Sequence, residues 1–230
     1  VGAATALLLS KQGYNVLINY SRSETEAQAS QVDCQAAGAD TLLMQGDVAQ
    51  EVREEVWQIF HEGESIMKKA HSHSTPAKGF HHGHHAAQGG MQKHGGAIVN
   101  MTADFRNGMP GMAHSGAARA GMLSFTETAA CEWAGAGVRV NAISPGYVLT
   151  EALQAAIDRG DRNPEDLTSQ AAMGRMVTPD EIADSVGFLL SPAAKAITGI
   201  NLPVDAGWLA GSTWQTYGGV PPAQTHTGGR

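Results

Sequence analysis

Residues 114–121 read His-Ser-Gly-Ala-Ala-Arg-Ala-Gly, and Thr102 lies thirteen residues before Ser115. Together they offer an imidazole, two hydroxyls and a guanidinium. An imidazole ordinarily titrates near ~6.5, so His114 has the chemistry of a general acid or base at neutral pH. A guanidinium titrates above ~12, so Arg119 can supply positive charge but cannot shuttle a proton. Ser115 is a poor acid, because an aliphatic hydroxyl titrates far above the ~10 of a phenol and an efficient acid needs a pKa near the working pH. The Thr102 hydroxyl can both donate and accept. Asp104 and Tyr147 are further groups able to supply a proton. Each residue also has a plainer reading. Ser115 would cap a long helix, Arg119 would be a solvated helix residue, Thr102 would satisfy backbone at a strand end, and His114 would flank the helix at the surface.

The elements that must position these groups alternate along the chain. Ala3–Gln12 is rich in good helix formers, and Gly13 supplies its C-terminal cap. Tyr14–Tyr20 reads as a buried strand, followed by the polar turn Ser21-Arg22-Ser23 and a helix from 24 to 37 ended by Gly38. Thr41–Met44 is a second strand, closed by Gly46-Asp47-Val48, and a helix is expected over 51–62. Order resumes with the strand Ala97–Met101. A long helix over 115–134 follows, with Ala118, Met122, Phe125, Ala129 and Trp133 on one buried face and Gly135 placed to stop it. Val138–Ile143 is the next strand, ended by Pro145-Gly146. Thr178-Pro179-Asp180-Glu181 carries a capping box with Pro at the first position of a helix. Thr150 with Glu151 could likewise open a helix. Ile200–Val204 is the last strand. Strands alternating with helices predict a parallel sheet covered on both faces.

Residues 63–95 break this pattern. They hold His71, His73, His81, His82, His84, His85 and His94, with no sustained apolar period. A surface loop with incidental affinity for zinc or nickel is expected there, and no defined metal site. The tail 212–230, rich in Gly, Thr and Pro, is expected to be mobile. At 230 residues a single domain with a full core is the default. The net charge of −7 argues against nucleic acid and anionic membrane as partners. No apolar run is long enough to span a bilayer and no signal peptide is evident. Cys34 and Cys131 form no C-x-x-C pair, so two reduced thiols in a cytoplasmic protein are expected.

From Gly95 to Gly207 the ordered features resemble the second half of a short-chain dehydrogenase/reductase. The strand Ala97–Met101, the helix behind it, Asn141-Ala142-Ile143-Ser144-Pro145-Gly146, Ile197-Thr198-Gly199 and Val204-Asp205-Ala206-Gly207 carry that resemblance. Residues 2–48 are similar to the first half more weakly. The octet followed by Glu132-Trp133-Ala134 looks closest to the enoyl-CoA and dienoyl-CoA reductase branch, which often lacks the usual Tyr. The resemblance implies a Rossmann-like, doubly wound parallel α/β sheet, here incomplete. The family's first strand with its Thr-Gly-x-x-x-Gly-x-Gly turn is not evident, and Gly2 would be the last Gly of that turn. The fourth strand with Asn-Asn-Ala-Gly is not evident either, and those two strands are central neighbours. Unpaired buried backbone there would cost about 1–3 kcal/mol per group. Either another element fills the gap, or the chain is a fragment or a rearranged product.

By the same resemblance Ser115 stands at the family's Tyr, Arg119 at its Lys and Thr102 at its Ser. Thr102 would orient a substrate oxygen, Arg119 would hold the cofactor ribose, and Ser115 or His114 would act toward the substrate. The cofactor would be NADP(H), with NAD as the alternative, because Ser21, Arg22 and Ser23 suit a 2′-phosphate and no acid ends that strand. Asp47 and Val48 would border the adenine. Pro145, Gly146, Val148 and Thr150 would lie beside the nicotinamide. A small-molecule substrate and a homodimer or homotetramer are implied, with Phe125 and Trp133 contributing to the interface. Enoyl reduction fits the loss of Tyr better than ketone reduction, since it needs mainly hydrogen bonds to a developing enolate. The competing expectation is an inactive or truncated relative that keeps the oligomerisation half.

Overall fold

The computed structural model describes residues 1–46, 95–104 and 108–211. The expected helix over 51–62, the His residues of 63–94, Asp47, Val48 and the tail 212–230 lie outside the described residues. In chain order the described elements are α1 (Gly2–Lys11), β1 (Val16–Tyr20), α2 (Glu24–Ala36), β2 (Thr41–Gln45) and β3 (Gly96–Met101). Then come α3 (Ala113–Trp133), β4 (Val138–Pro145), α4 (Glu151–Asp158), α5 (Pro164–Thr168), α6 (Pro179–Leu190), β5 (Asn201–Val204) and α7 (Trp208–Gly211).

Among the described residues all strand pairing is parallel, as the alternation predicts. Val16 stands opposite Thr41 in β1–β2, Gly96 opposite Val138 in β3–β4, and Ala142 opposite Asn201 in β4–β5. Among the described residues the strands fall into two sheets, ordered β1-β2 and β3-β4-β5. β1 and β3 are not hydrogen-bonded neighbours. Helix α1 spans the division, packing on both α2 and α6. Gly187 lets α6 come close: a Cβ there would stand 3.1 Å from Leu8 Cδ2. Leu9 enters one apolar cluster with Ala97, Val99, Ile143, Ile182, Val186 and Leu189, and Val16 packs against it. One hydrophobic core is thus shared across both sheets.

A second cluster clamps α3 to the sheet through Ile98, Ala129, Ala130, Trp133, Val138 and Val140. Trp133 is only 5% exposed and meets Phe125 edge to face at 5.8 Å. It is therefore packed into this chain's own core. Asn100 Nδ2 adds a buried 2.9 Å bond to Thr126 Oγ1, fixing α3 against β3.

Two helix boundaries differ from expectation. α3 starts at Ala113 with Met112 in the cap position, so Ser115 lies inside the first turn and is not its cap. Nor does Gly135 stop the helix. The chain tightens into a 3₁₀ turn over Ala134–Ala136, and Gly137 ends it with φ 73°. A Cβ in that left-handed conformation would crowd the following carbonyl, which is why glycine serves there. The capping box at Thr178 and Glu181 forms as the sequence indicates. Arg139, on β4, reaches the carbonyl end of α6, donating to Leu189 O at 2.7 Å and also to Leu190, Ser191 and Ile197 carbonyls. A cation suits the negative end of a helix.

Candidate active site

Parallel strands bring all their carboxyl ends to one side, and Thr102, Ser144, Pro145-Gly146 and Asp205 collect there. Thr102 is buried, and its hydroxyl lies 3.0 Å from Ile143 O, 2.8 Å from Ser144 Oγ and 3.3 Å from Asn201 Oδ1. Ser144 Oγ in turn lies 2.8 Å from Asn201 Oδ1 and 3.3 Å from Ala103 O. Each hydroxyl has one proton to give, and these acceptors absorb both. The network stitches the ends of β3, β4 and β5. Freeing the Thr102 proton for a substrate would forfeit a bond worth roughly 0.5–1.5 kcal/mol net.

Ser115 and Arg119 form a separate group one helical turn apart on α3. Arg119 Nη1 contacts Ser115 Oγ and also donates to the Ser115 carbonyl at 3.3 Å. Both side chains are partly accessible. The Met109 side chain lies 3.7 Å from where a Cβ on Gly116, the next residue of the helix, would sit. Among the described residues no hydrogen bond joins this pair to Thr102. His114 occupies the first turn of α3 and is exposed. The structure thus brings Ser115 and Arg119 together and ties Thr102 elsewhere. Ser144 and Asn201 are the partners that sequence reasoning missed. Their signal was a polar residue inside each of two apolar strands, and only the strand register makes them neighbours.

The expected cofactor residues lie on several separate elements. Ser21, Arg22 and Ser23 form an exposed turn after β1, held from beneath by Gln45 Nε2 donating to Ser21 O at 3.3 Å. Gly2 is the first residue of α1, whose first turn carries no acid. Gly146 passes so close to β5 that a Cβ would stand 2.8 Å from Asp205 Cα. Asp205 is itself used internally, accepting from Gly207 N at 2.8 Å and Leu209 N at 2.9 Å. Val148 bridges to Val177. Thr150 caps α4, accepting from Leu153 N at 3.3 Å, so its plainer role is realised. A groove of about 410 Å³ opens beside it, lined by Leu149, Thr150, Glu151, Gln154, Ala155 and Asp158. Tyr147 is 43% exposed and stands edge to face on Trp208 at 5.8 Å. Among the described residues no cluster of His, Cys, Asp or Glu is placed to hold a metal ion, and no helix is long and apolar enough to cross a membrane.

Residues 64–209 match the family model described as enoyl-(acyl carrier protein) reductase. A 3-oxoacyl-[acyl-carrier-protein] reductase of Staphylococcus epidermidis is 30% identical over 231 residues, covering 90% of this chain and 93% of that protein. Among solved structures, a ribose-5-phosphate isomerase from Brucella melitensis 16M is 31% identical with a TM-score of 0.80, over 94% of this chain and 91% of that one. A citronellol catabolism dehydrogenase of Pseudomonas aeruginosa PAO1 is 32% identical with a TM-score of 0.69, over 90% and 89%. These names span a reductase, an isomerase and a dehydrogenase, so the substrate has to be argued from this chain's own residues.

Proposed function

Because the chain belongs to the short-chain dehydrogenase/reductase family, we propose that it is an NADP(H)-dependent oxidoreductase whose substrate carries a carbonyl, free or conjugated as in an enoyl thioester. The observation that carries this reading is the family likeness over nine-tenths of the chain, coupled with a Ser115–Arg119 contact where the family places its proton donor. The donor set fits a dinucleotide phosphate. Arg22 with Ser21 and Ser23 offers a cation and two hydroxyls in an exposed turn with no acidic side chain. Acid-free amides at Gly2 begin a helix, the usual setting for a phosphate.

When bound, a reduced nicotinamide supplies a hydride. The chain's own residues do the rest. The Ser21–Ser23 turn holds the 2′-phosphate. Arg119 adds positive charge at the start of α3, and Ser115 presents a hydroxyl to the substrate oxygen. Thr102 supports the strand ends on which this geometry rests. His114, exposed in the first turn of α3, is the candidate for proton exchange with solvent. A homodimer or homotetramer belongs to the same proposal, through the outer face of α3 with Ser124, Glu127, Thr128 and Cys131 exposed; sedimentation velocity tests it.

The test is a thermal melt with NADPH. A ligand present at 100 times its Kd stabilises the native state by about 2.7 kcal/mol, so the expected result is a clear rise in Tm that Arg22→Ala reduces. No rise at millimolar NADPH overturns the reading. The second reading, an inactive relative, is favoured by the engagement of the Thr102 hydroxyl within the strand ends. Steady NADPH consumption with an enoyl thioester, abolished by Arg119→Ala, would exclude it.

A further inference from the structure

We propose that the amino ends of β3 and β4 hold an oxyanion site, built on Arg139 and Lys195, that takes inorganic phosphate or the phosphoryl group of a small monoester. It lies at the other end of the strands from Thr102 and Ser144, and it does not depend on the oxidoreductase reading. A cavity of about 190 Å³ opens there, lined by Gly96 and Ala97 of β3, Arg139 of β4, and Leu190, Pro192 and Lys195 in and after α6. Gly96 and Ala97 begin β3, and Arg139 is the second residue of β4. Ligand pockets for drug-sized molecules run to roughly 300–1,000 Å³, so this cavity suits a single small ion and not a dinucleotide. No acidic side chain lines it.

Charge decides the sign of the ligand. Arg139 gives its Nη hydrogens to carbonyls, those of Leu189 and Ile197 from Nη1 and those of Leu190 and Ser191 from Nη2. Carbonyls are neutral, so they fix the guanidinium in place without cancelling it. The carboxyl end of α6 contributes about half a negative charge, against two positive ones. Among the described residues neither Arg139 nor Lys195 has a carboxylate partner. Burial pushes the Arg139 guanidinium below its ordinary range, a cost that an incoming anion would offset. Apolar walls at Ala97, Leu190 and Pro192 keep water away and focus the field of the two cations. Arg139 thus supplies fixed charge, and Lys195, exposed on a flexible stem, supplies the direct hydrogen bonds. A doubly charged phosphate gains more from this field than chloride does, because the Coulomb energy scales with the charge.

The test is calorimetry with inorganic phosphate at fixed ionic strength, on the full chain without nicotinamide. The expected result is saturable binding of one phosphate per chain at millimolar concentration. Lys195→Met should weaken it by about tenfold or more, and Lys195→Glu should abolish it. Lys195 is exposed, so both variants should keep the wild-type circular dichroism and the Tm of the phosphate-free chain. Arg22→Ala should leave phosphate binding unchanged, because the ion does not sit at the Ser21–Ser23 turn. Glycerol phosphate in place of phosphate distinguishes the two sources: equal affinity assigns the site to a phosphoryl group on a monoester, and much weaker affinity assigns it to the free ion. A response that never saturates means an adventitious ion only and overturns the proposal. Undiminished binding in Lys195→Glu overturns it as well, and so does loss of binding in Arg22→Ala, which would move the phosphate to the cofactor turn.

Discussion

The β1–β2 pair and the β3–β4–β5 sheet use the same parallel ladder in different surroundings. The residues of β1 and β2 are half-buried or exposed throughout, whereas Val140, Asn141, Ala142 and Ile143 of β4 are fully enclosed. β4 has a neighbour on each edge, and α3 and α6 both pack on it. The difference teaches where stability and chemistry are invested. The C-terminal sheet supplies the enclosed strands and the platform on which α3, with Ser115 and Arg119, packs. The N-terminal pair presents an exposed turn, Ser21–Ser23, suited to touching a ligand rather than to holding the core.

The largest expected effect compares matched truncations in the two sheets. Ile143→Ala removes a fully enclosed side chain and should cost about 2–5 kcal/mol. Leu17→Ala, in β1, should cost less than half as much. Denaturant unfolding measures both, and equal losses would break the contrast. Next, Gly146→Ala should cost about 1–3 kcal/mol, because its Cβ would collide with Asp205 backbone at 2.8 Å. The same experiment checks it, and the damage should fall on the junction of β4 with β5.

A third comparison separates the two hydroxyls of the site. Thr102→Val should lower stability by about 1 kcal/mol, since it breaks the network with Ser144 and Asn201. It should leave NADPH consumption with an enoyl thioester in place, whereas Ser115→Ala should abolish that turnover and spare stability; the opposite outcome would return Thr102 to the chemistry. Fourth, Thr178→Ala should cost about 1 kcal/mol through loss of the cap on α6, the helix joining both sheets through α1.

The smallest effect is a pH dependence. Arg175 holds the Glu181 carboxylate at 2.6 and 2.9 Å, and the Thr178 amide donates to it as well. These bonds, that of Arg175 first, lower its pKa from the ordinary 4.5 to about 2. A carboxylate depressed in the folded state contributes stability above its unfolded pKa and loses it as pH falls through the folded one. The contribution should therefore fade between pH 4.5 and about 2. With both side chains more than a third exposed, solvent screening keeps it below about 1 kcal/mol. Melts across that range, with Glu181→Gln as the control that flattens them, measure it.

Much of the architecture is legible in the residues because helix and strand signals are local. The Thr178 capping box, the apolar spacing of α3 and the run Val138–Ile143 each produced the element they predict. Local signals failed where two boundaries compete. Gly135 looked like a stop, yet Gly137 ends the turn because the chain can tighten for one more 3₁₀ step before it needs a left-handed residue. Ser115 looked like a cap, yet the helix begins at Ala113. Trp133, by contrast, follows its place on the buried face of the helix and enters the β3–β4 cluster, where a large apolar ring gains most.

The sequence by itself determined the family, the parallel character of the strands, and the chemical types at positions 102, 115 and 119, because residue identity and periodicity are properties of the chain alone. Only the tertiary structure decided which of those types work together. Strand register, which no local pattern encodes, brings Asn201 and Ser144 to Thr102 and occupies its hydroxyl. On α3, Arg119 lies against Ser115 one turn away, and among the described residues no hydrogen bond ties that pair to Thr102. Two hydroxyls of similar intrinsic chemistry thereby diverge, Thr102 bound into the strand-end network and Ser115 partly accessible beside Arg119.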